Sequence, residues 1–324
     1  MLIASAAILV GFIILIWSAD LFVAGAASIA ESVGLSPVII GLTIVSLGTS
    51  APEILVSITA TMAGAGNLAI GNAIGSNIAN VGLVLGTTVL IAPLCIHPNC
   101  LKVEMPMLLA VTLGTGLLLL DGDLSRLDGC LMLASLTFIL IQIMRTQSKD
   151  EVLRGEAEEG PLPHLERTRA WITFSLGLLL LIGSSRLLVW GATEIAGMLG
   201  VSELIIGLTI VAIGTSLPEL AATVASALRG HTEIAVGNVI GSNLFNLLAV
   251  MAIPGLLGPM AISPMVMQRD YAAMTIATVL LALAIYFGRL RKAAPPGHSY
   301  VGRSVGLLLL ICYALYYYLL YLTV

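Results

Sequence analysis

Two copies of one sequence motif decide the fold of this chain. Residues Gly34–Glu53 read GLSPVIIGLTIVSLGTSAPE and residues Gly200–Glu219 read GVSELIIGLTIVAIGTSLPE, which gives 14 identities in 20 positions. Residues Ile70–Asn80 (IGNAIGSNIAN) and Val236–Asn246 (VGNVIGSNLFN) add seven identities in 11 positions, and both pairs of segments lie 166 residues apart. Similarity at one fixed offset indicates an internal repeat. The chain is therefore predicted to consist of two homologous halves.

The composition around these copies excludes an ordinary soluble globular protein. Of the 324 residues, 58% are hydrophobic and only 10% are charged, whereas soluble domains contain about 25% charged residues. A net charge of −4, from 14 basic and 18 acidic residues, also excludes the basic surface that binds nucleic acids. We therefore expect an integral membrane protein.

Apolar stretches of roughly 16 to 28 residues recur along the whole chain, and about 20 residues of helix cross a bilayer. These stretches do not alternate between polar and apolar residues, which favours α-helices over the strands of a β-barrel. The sequence predicts an all-α membrane protein. Its ten transmembrane helices are expected at residues 2–24, 37–64, 68–94, 105–120, 129–145, 171–190, 203–228, 233–258, 271–287 and 304–322.

Each half contains five of these spans, so the second half must enter the membrane from the opposite side to the first. We predict two inverted five-helix repeats, residues 1–145 and 170–324, whose repeated motifs occupy residues 37–94 and 203–258. Residues 146–169 contain six acidic and four basic residues together with Gly and Pro, and they are too few to form a domain. They are predicted to be a linker.

The distribution of Lys and Arg predicts the orientation, because cytoplasmic loops carry an excess of both. With the N-terminus outside, 11 of these residues face the cytoplasm and three face outward. We expect a multi-pass protein of the cell (inner) membrane with both termini outside and the linker in the cytoplasm. Several acidic residues near span ends are predicted to be ordinary interfacial charges: Asp20, Glu31, Glu104, Glu194, Glu203, Glu233 and Asp270.

Two other acidic residues, Glu53 and Glu219, are predicted to lie in the middle of the membrane at equivalent positions of the two repeats. A carboxylate at the centre of a transmembrane helix costs about 3 kcal/mol on insertion scales. The four spans that carry the repeated motifs contain no basic residue before Arg229, so an ion pair is not the expected partner. The sequence instead predicts a bound cation.

A proline precedes each glutamate and is predicted to break its helix. Pro52 and Pro218 remove a backbone donor and release the carbonyls of Gly48 and Gly214, four residues earlier. Such carbonyls are tolerated inside a membrane only where they line a cavity or hold an ion. A kink that serves packing alone is the alternative for one helix, but its presence in both repeats disfavours that interpretation.

Hydroxyl groups share a helix face with each glutamate. Thr49 and Ser50 lie four and three residues before Glu53, and Thr215 and Ser216 stand in the same relation to Glu219. Hydroxyl, carbonyl and carboxylate oxygens are the ligands that hard cations such as Ca²⁺ prefer. Soft metals are disfavoured because these motifs contain neither Cys nor His.

The next span of each half carries polar residues at positions i, i+4 and i+8. On its own such a stripe is more typical of helix–helix contact than of a binding site. Its position beside the glutamate helix favours a binding role for four of its residues, which are Ser76, Asn80, Ser242 and Asn246. Asn72 and Asn238 are assigned a structural role.

The two GTS-x-P-E segments, each followed by GN-x-IGSN-x-x-N, resemble those of the Ca²⁺/cation antiporter superfamily, most closely its prokaryotic sodium/calcium exchangers. The resemblance covers all ten predicted spans and implies that the first and sixth spans slide past the others. It also implies that Glu53 and Glu219 bind Ca²⁺ together with the carbonyls of Thr49 and Thr215. The Na⁺ ligands that it implies are Thr49, Ser50, Thr215, Ser216, Ser76 and Ser242, while Asn80 and Asn246 match the central polar positions. Some prokaryotic relatives carry an acid at the position of Asn246.

The charge of this predicted site favours antiport, because one Ca²⁺ or two Na⁺ neutralise two carboxylates and the ions must compete. Our hypothesis is a secondary transporter that exchanges Ca²⁺ for Na⁺, with these ions as substrates and without a cofactor or an obligate protein partner. One alternative is an exchanger of H⁺ for Ca²⁺, and another is a cation channel with the acids as its selectivity ring. An intramembrane enzyme with Ser50 or Ser216 as nucleophile is disfavoured, because the motifs contain no His or Lys base.

Overall fold

The computed structural model describes residues 1–147, 165–200, 212–291, 294 and 297–323. These residues are helical almost throughout, as the sequence predicts, and they also form four strands of two or three residues each. Most of the predicted linker, residues 148–164, and the beginning of the seventh predicted span, residues 201–211, lie outside the described residues.

In the first half, the order of helices follows the predicted spans, with two short strands between them. The helices are α1 (Leu2–Val33), α2 (Pro37–Thr49), α3 (Ala51–Met62), α4 (Gly66–Ile91), α5 (Cys100–Leu118) and α6 (Arg126–Gln147). Strand β1 (Leu94–Ile96) precedes α5, and strand β2 (Asp123–Leu124) precedes α6.

The second half has the same order of elements. Its helices are α7 (Arg167–Met198), α8 (Ala212–Thr215), α9 (Leu217–Leu228), α10 (Thr232–Leu257), α11 (Val266–Gly288) and α12 (Arg303–Thr323). Strand β3 (Met260–Ala261) precedes α11, and strand β4 (Ser299–Val301) precedes α12.

Eight helices of the described chain are long and apolar enough to cross a membrane, and α2 with α3 forms a ninth candidate. The two parts of this ninth span meet at an angle of 43°. Helix α9 has only 12 residues, because it begins after Ser216, where α8 has ended; the predicted span at 203–228 is described from residue 212. The fold is therefore that of a multi-pass membrane protein with eight or nine apolar spans in its described part.

Helices α1 and α7 have 32 residues each and extend beyond the spans predicted at 2–24 and 171–190. Hydropathy locates only the apolar part of a helix, whereas Ala-rich sequence such as that after Asp20 continues the helix into the polar region. Helix α1 ends at Gly34, which adopts the left-handed conformation with φ 70°. The true length of such helices is set by their terminating residues rather than by hydropathy.

Helices α1 and α7 pack against each other with their backbones in contact. The rings of Phe22 and Phe174 stack with centroids 4.8 Å apart. A Cβ atom on Gly25 would lie 2.5 Å from the backbone nitrogen of Phe174, and one on Gly177 would lie 2.5 Å from the backbone nitrogen of Phe22. Only glycine fits at these two positions, so the two long helices form a closely joined pair.

Helices α4 and α10 form the interior of the molecule. In the most apolar stretch of each helix, 72% and 83% of the residues are buried, against 22% to 33% in the other long spans of the described chain. Helix α10 lies directly on α2, since a Cβ atom on Gly241 would be 2.6 Å from the carbonyl oxygen of Leu42. Helix α10, which carries a repeated motif of the second half, therefore packs on α2, which carries a repeated motif of the first half.

The short strands also connect the two halves. Strand β1 pairs with β4 in antiparallel register, with Leu94 opposite Val301, and β2 pairs with β3, with Leu124 opposite Met260. In each pair, one strand comes from the first half and the other from the second. These ladders add backbone hydrogen bonds between the halves.

The prediction that the acidic residues near span ends are interfacial is wrong for Glu104. This residue is only 2% exposed, because the helical turn that begins α5 packs it against the core. Asp270, at the equivalent position of α11, is 9% exposed; its carboxylate accepts hydrogen bonds from Arg269 at 2.7 Å and from Tyr316 at 3.0 Å. Position along a span does not reveal which way a side chain faces. Asp20, which is exposed, forms an ion pair of 3.0 Å with Arg229.

We predict that Gly177→Ala destabilises the protein by about 1–3 kcal/mol, because the new methyl group forces the backbones of α1 and α7 apart. The measurement is the thermal unfolding midpoint in detergent. Gly183→Ala is the matched control on the same helix, since a Cβ atom at Gly183 has no other atom within 4 Å. Equal midpoints for the two variants would contradict the close contact.

Candidate functional site

Glu53 and Glu219 lie in the first turns of α3 and α9 and are each 1% exposed. Ser50 and Ser216 immediately precede these helices, and neither continues the helix before it, since their ψ angles are 4°. Pro52 and Pro218 occupy the first turn, where a missing N–H is tolerated. The positive end of the helix dipole stabilises a carboxylate there. The two breaks thus place both carboxylates inside the protein.

The two halves meet at these carboxylates. Ser50 of the first half donates a hydrogen bond of 3.3 Å to Oε1 of Glu219 in the second half. Ser76 donates one of 3.5 Å to Oε1 of Glu53. The carboxylates of Glu53 and Glu219 are close enough to interact electrostatically. Neither forms an ion pair with a basic residue of the described chain.

Thr49 joins the same cluster from the C-terminus of α2. Its hydroxyl group donates to Oδ1 of Asn238 at 3.2 Å and lies 3.5 Å from the hydroxyl oxygen of Ser242. Thr49, Asn238 and Ser242 are all fully buried. The hydroxyl group of Thr49 in the first repeat therefore contacts Asn238 and Ser242, the polar residues of α10 in the second repeat.

Asparagine side chains connect α4 to α10 behind the carboxylates. Asn80 donates to Oδ1 of Asn243 at 3.0 Å, and Asn77 donates to the backbone carbonyl of Asn243 at 3.3 Å. A π-helical segment begins at Asn80 in α4 and another at Asn246 in α10. Such segments are frequent at functional sites.

Several buried oxygen atoms of this cluster have no hydrogen-bond partner among the described residues. They are Oε2 of Glu53, Oε2 of Glu219, Oδ1 of Asn77, Oδ1 of Asn80, Oδ1 of Asn246 and Oγ of Ser216. An unsatisfied buried polar group costs about 1–3 kcal/mol, and native proteins contain few of them. The chemical character of this set, two carboxylates with amide and hydroxyl oxygens, fits a hard cation.

The structure buries all of the predicted ligands except Thr215, which is partly buried at the end of α8. The buried ligands are Thr49, Ser50, Glu53, Ser76, Asn80, Ser216, Glu219, Ser242 and Asn246. One expectation about the carbonyls differs from the structure. The carbonyl of Gly214, which Pro218 releases, accepts a hydrogen bond of 2.8 Å from Ser185 of α7. That oxygen is therefore satisfied by a side chain of the long helix α7.

The spacing of polar residues does not single out Asn77 and Asn243, and it assigns Asn238 only a structural role. Asn77 and Asn243 are the asparagines of the two GSN motifs, so the repeat contains a signal for them. They lie outside the i, i+4, i+8 stripe of a regular α-helix. Helices α4 and α10 are buried on most of their surface, so residues outside the stripe also face other helices, and the spacing of polar residues does not predict this.

Comparison with known proteins defines the family. The profile of the family described as "Sodium/calcium exchanger protein" matches residues 3–144 and 169–322 of this chain. The chain belongs to this family. The sodium/calcium exchanger family consists of transporters, and the chain is accordingly a cation antiporter of the Ca²⁺/cation antiporter superfamily, as its motifs predict.

Individual relatives of this exchanger chain match it over nearly its whole length. It is 44% identical to "Putative antiporter CaxA" of Alkalimonas amylolytica, covering 99% of both chains. It is 29% identical to "Sodium/calcium exchanger MaX1" of Methanosarcina acetivorans, covering 87% of this chain and 91% of that protein. A solved structure of the sodium-calcium exchanger NCX_Mj, soaked with zero Na⁺ and Ca²⁺, is similar with a TM-score of 0.82 and 31% identity. The similarity covers 97% of this chain and 98% of that one.

We predict that Asn243→Ala lowers the free energy of unfolding of the exchanger by about 1–3 kcal/mol, because the buried Nδ2 of Asn80 loses its acceptor. Thermal unfolding in detergent measures the effect. Asn67→Ala, an exposed asparagine near the start of α4, serves as the control and is expected to change stability by less than about 0.5 kcal/mol. An unchanged midpoint for Asn243→Ala would mean that the bridge between α4 and α10 contributes nothing to stability.

Proposed function

We propose that this protein is a secondary active antiporter that exchanges Ca²⁺ for Na⁺ across the membrane by alternating access. One observation supports this most directly. Two buried carboxylates, those of Glu53 and Glu219, face a cluster of hydroxyl and amide oxygens and have no basic partner in the described chain. Buried negative charges of this kind need a cation to compensate them.

In the proposed Ca²⁺ site, Glu53 and Glu219 provide the carboxylates, and Thr49 and Thr215 provide backbone carbonyls. Ca²⁺ binds six to eight oxygen atoms at about 2.3–2.6 Å, so water or neighbouring side chains complete the shell. In the proposed Na⁺-bound state, Na⁺ ions bind the same carboxylates together with hydroxyl groups. The hydroxyl ligands are those of Thr49, Ser50, Thr215, Ser216, Ser76 and Ser242, with Asn80 and Asn246 at the centre.

The coupling of the two ions follows from the charge of the site. Its two carboxylates carry two negative charges, which one Ca²⁺ or two Na⁺ neutralise. Loading both sets of ions together would leave an excess of positive charge in a medium of low dielectric constant, which is strongly unfavourable. The ions therefore replace one another, and transport of one drives transport of the other.

We further propose that the architecture is that of ten transmembrane helices in two inverted five-helix repeats. The equal lengths of α1 and α7, the π-helical segments at Asn80 and Asn246, and the pairing of β1 with β4 and β2 with β3 support this arrangement. The close pair of α1 and α7 is the proposed moving element. The positive-inside distribution favours an orientation with both termini outside and the linker in the cytoplasm.

Transport by purified protein in liposomes tests the function. Vesicles loaded with Na⁺ and diluted into Na⁺-free buffer at equal pH are expected to take up radioactive Ca²⁺. Vesicles with a pH gradient and no Na⁺ are expected to show only background uptake. Uptake that a pH gradient drives without Na⁺ would favour exchange of H⁺ for Ca²⁺, and uptake without any counter-ion gradient would favour a channel.

Isosteric neutralisation of the carboxylates tests the site. We predict that Glu53→Gln and Glu219→Gln each reduce Na⁺-driven Ca²⁺ uptake at least about 100-fold, because the site loses half of its negative charge. Each variant also loses the rise in thermal unfolding midpoint that Ca²⁺ causes in the parent protein.

Glu31→Gln is the matched control, because it makes the same chemical change at an exposed position of α1. Its uptake is expected to equal that of the parent protein. Retained uptake and retained Ca²⁺ stabilisation in either Glu53→Gln or Glu219→Gln would refute the assignment of that carboxylate.

A further inference from the structure

Asn238 of α10 lies between the hydroxyl group of Thr49 and helix α9. Its side chain is fully buried and forms two hydrogen bonds. Nδ2 donates to Oγ1 of Thr223 at 2.9 Å, and Oδ1 accepts from Oγ1 of Thr49 at 3.2 Å. Thr223 lies one helical turn after Glu219, so this asparagine connects α2, α9 and α10 at the edge of the candidate site.

The bond to Thr223 uses the nitrogen of the amide group. The amide nitrogen can only donate hydrogen bonds and the amide oxygen can only accept them. With Nδ2 committed to Thr223, Oδ1 faces Thr49. In this arrangement Thr49 meets the amide oxygen, which can only accept its hydrogen, and Thr223 holds the amide group from the other side.

The hydroxyl group of Thr49 has one hydrogen and several acceptors within reach. The backbone carbonyl of Ser46 lies 3.3 Å away, Oδ1 of Asn238 lies 3.2 Å away, and the carboxylate of Glu219 is also in range. A hydrogen donated to Asn238 is not donated to that carboxylate. The lone pairs of the Thr49 oxygen then stay available to a cation, and the hydroxyl oxygen of Ser242 lies 3.5 Å from it.

The equivalent asparagine of the first repeat has different contacts. Asn72 is only half-buried and donates to the backbone carbonyl of Glu53 at 3.2 Å. The counterpart of Thr223 is Ser57, which donates to the backbone carbonyl of Val250 at 2.9 Å. In the described chain, which leaves out residues 201–211, the hydrogen-bonded series Thr223–Asn238–Thr49 has no counterpart through Ser57 and Asn72.

Resting on the proposed exchange function, we propose that Asn238 is a positioning residue that turns the hydroxyl oxygen of Thr49 toward a bound Na⁺. Na⁺ carries one charge and depends on neutral oxygens that are oriented in advance, whereas Ca²⁺ binding is dominated by its two charges and the two carboxylates. Loss of the orientation consequently weakens Na⁺ binding more than Ca²⁺ binding.

The test compares Asn238→Ala with the parent protein in liposomes. We expect the Na⁺ concentration for half-maximal exchange to rise about fivefold, the size expected for one lost hydrogen bond of ordinary strength. The Ca²⁺ concentration for half-maximal exchange and the maximal rate are expected to change less than about twofold. Thr223→Val is expected to shift the Na⁺ value in the same direction by a smaller factor, because it releases the amide without removing it.

A double-variant cycle separates positioning from a general structural effect. Thr49→Val keeps the shape of the side chain and removes the hydroxyl group, so adding Asn238→Ala to it should cause no further change in the Na⁺ value. If the two changes instead act independently, or if Asn238→Ala shifts Na⁺ and Ca²⁺ equally, the positioning role is wrong.

Two different outcomes separate an error in the role of Asn238 from an error in the proposed function. A parent protein that shows no Na⁺-driven Ca²⁺ uptake would overturn the function itself. A parent protein that exchanges normally, together with an unchanged Na⁺ value in both Asn238→Ala and Thr223→Val, would overturn only the role of Asn238. Size-exclusion profiles in detergent establish that each variant is folded, and Thr223→Val decides the question if Asn238→Ala does not fold.

Discussion

The burial of two carboxylates without a basic partner in the described chain is the constraint on which the rest of this structure depends. Each lies in the first turn of a helix, where the helix dipole favours negative charge, and each accepts a hydrogen bond from a serine. A helix can begin at that depth only if the preceding helix ends there. The break before Pro52 and the break before Pro218 thus satisfy the electrostatic requirement of the glutamates.

Bringing these two helix ends together requires unusually close packing of the surrounding helices. Helices α4 and α10 carry the asparagines and serines that face the glutamates, and they are the most buried spans of the described chain. Gly237 and Gly241 allow α10 to touch the backbone of α2. A larger residue at either position would separate the hydroxyl group of Thr49 from Asn238 and Ser242. The geometry of the site therefore depends on the close packing of α10 on α2.

The repeated motifs were sufficient to predict the family, the helical fold, the helix breaks and the burial of both glutamates. These features depend on residue type and local spacing, which a sequence displays directly. The partners of Asn238, the burial of Glu104 and the bond from Ser185 to the carbonyl of Gly214 could not be predicted. They depend on which helices pack against one another in three dimensions, and residue type and local spacing do not show that.

The ion pair between Asp20 of α1 and Arg229 at the end of α9 makes the two halves unequal. The residues at the equivalent positions, 166 residues away, are Arg186 and Ala63, which cannot form such a pair. Two identical inverted halves would give a protein whose two orientations across the membrane have the same energy. The proposed inverted halves therefore differ in this exposed charged contact, and a pair of this kind can favour one of the two proposed orientations by at most about 1 kcal/mol.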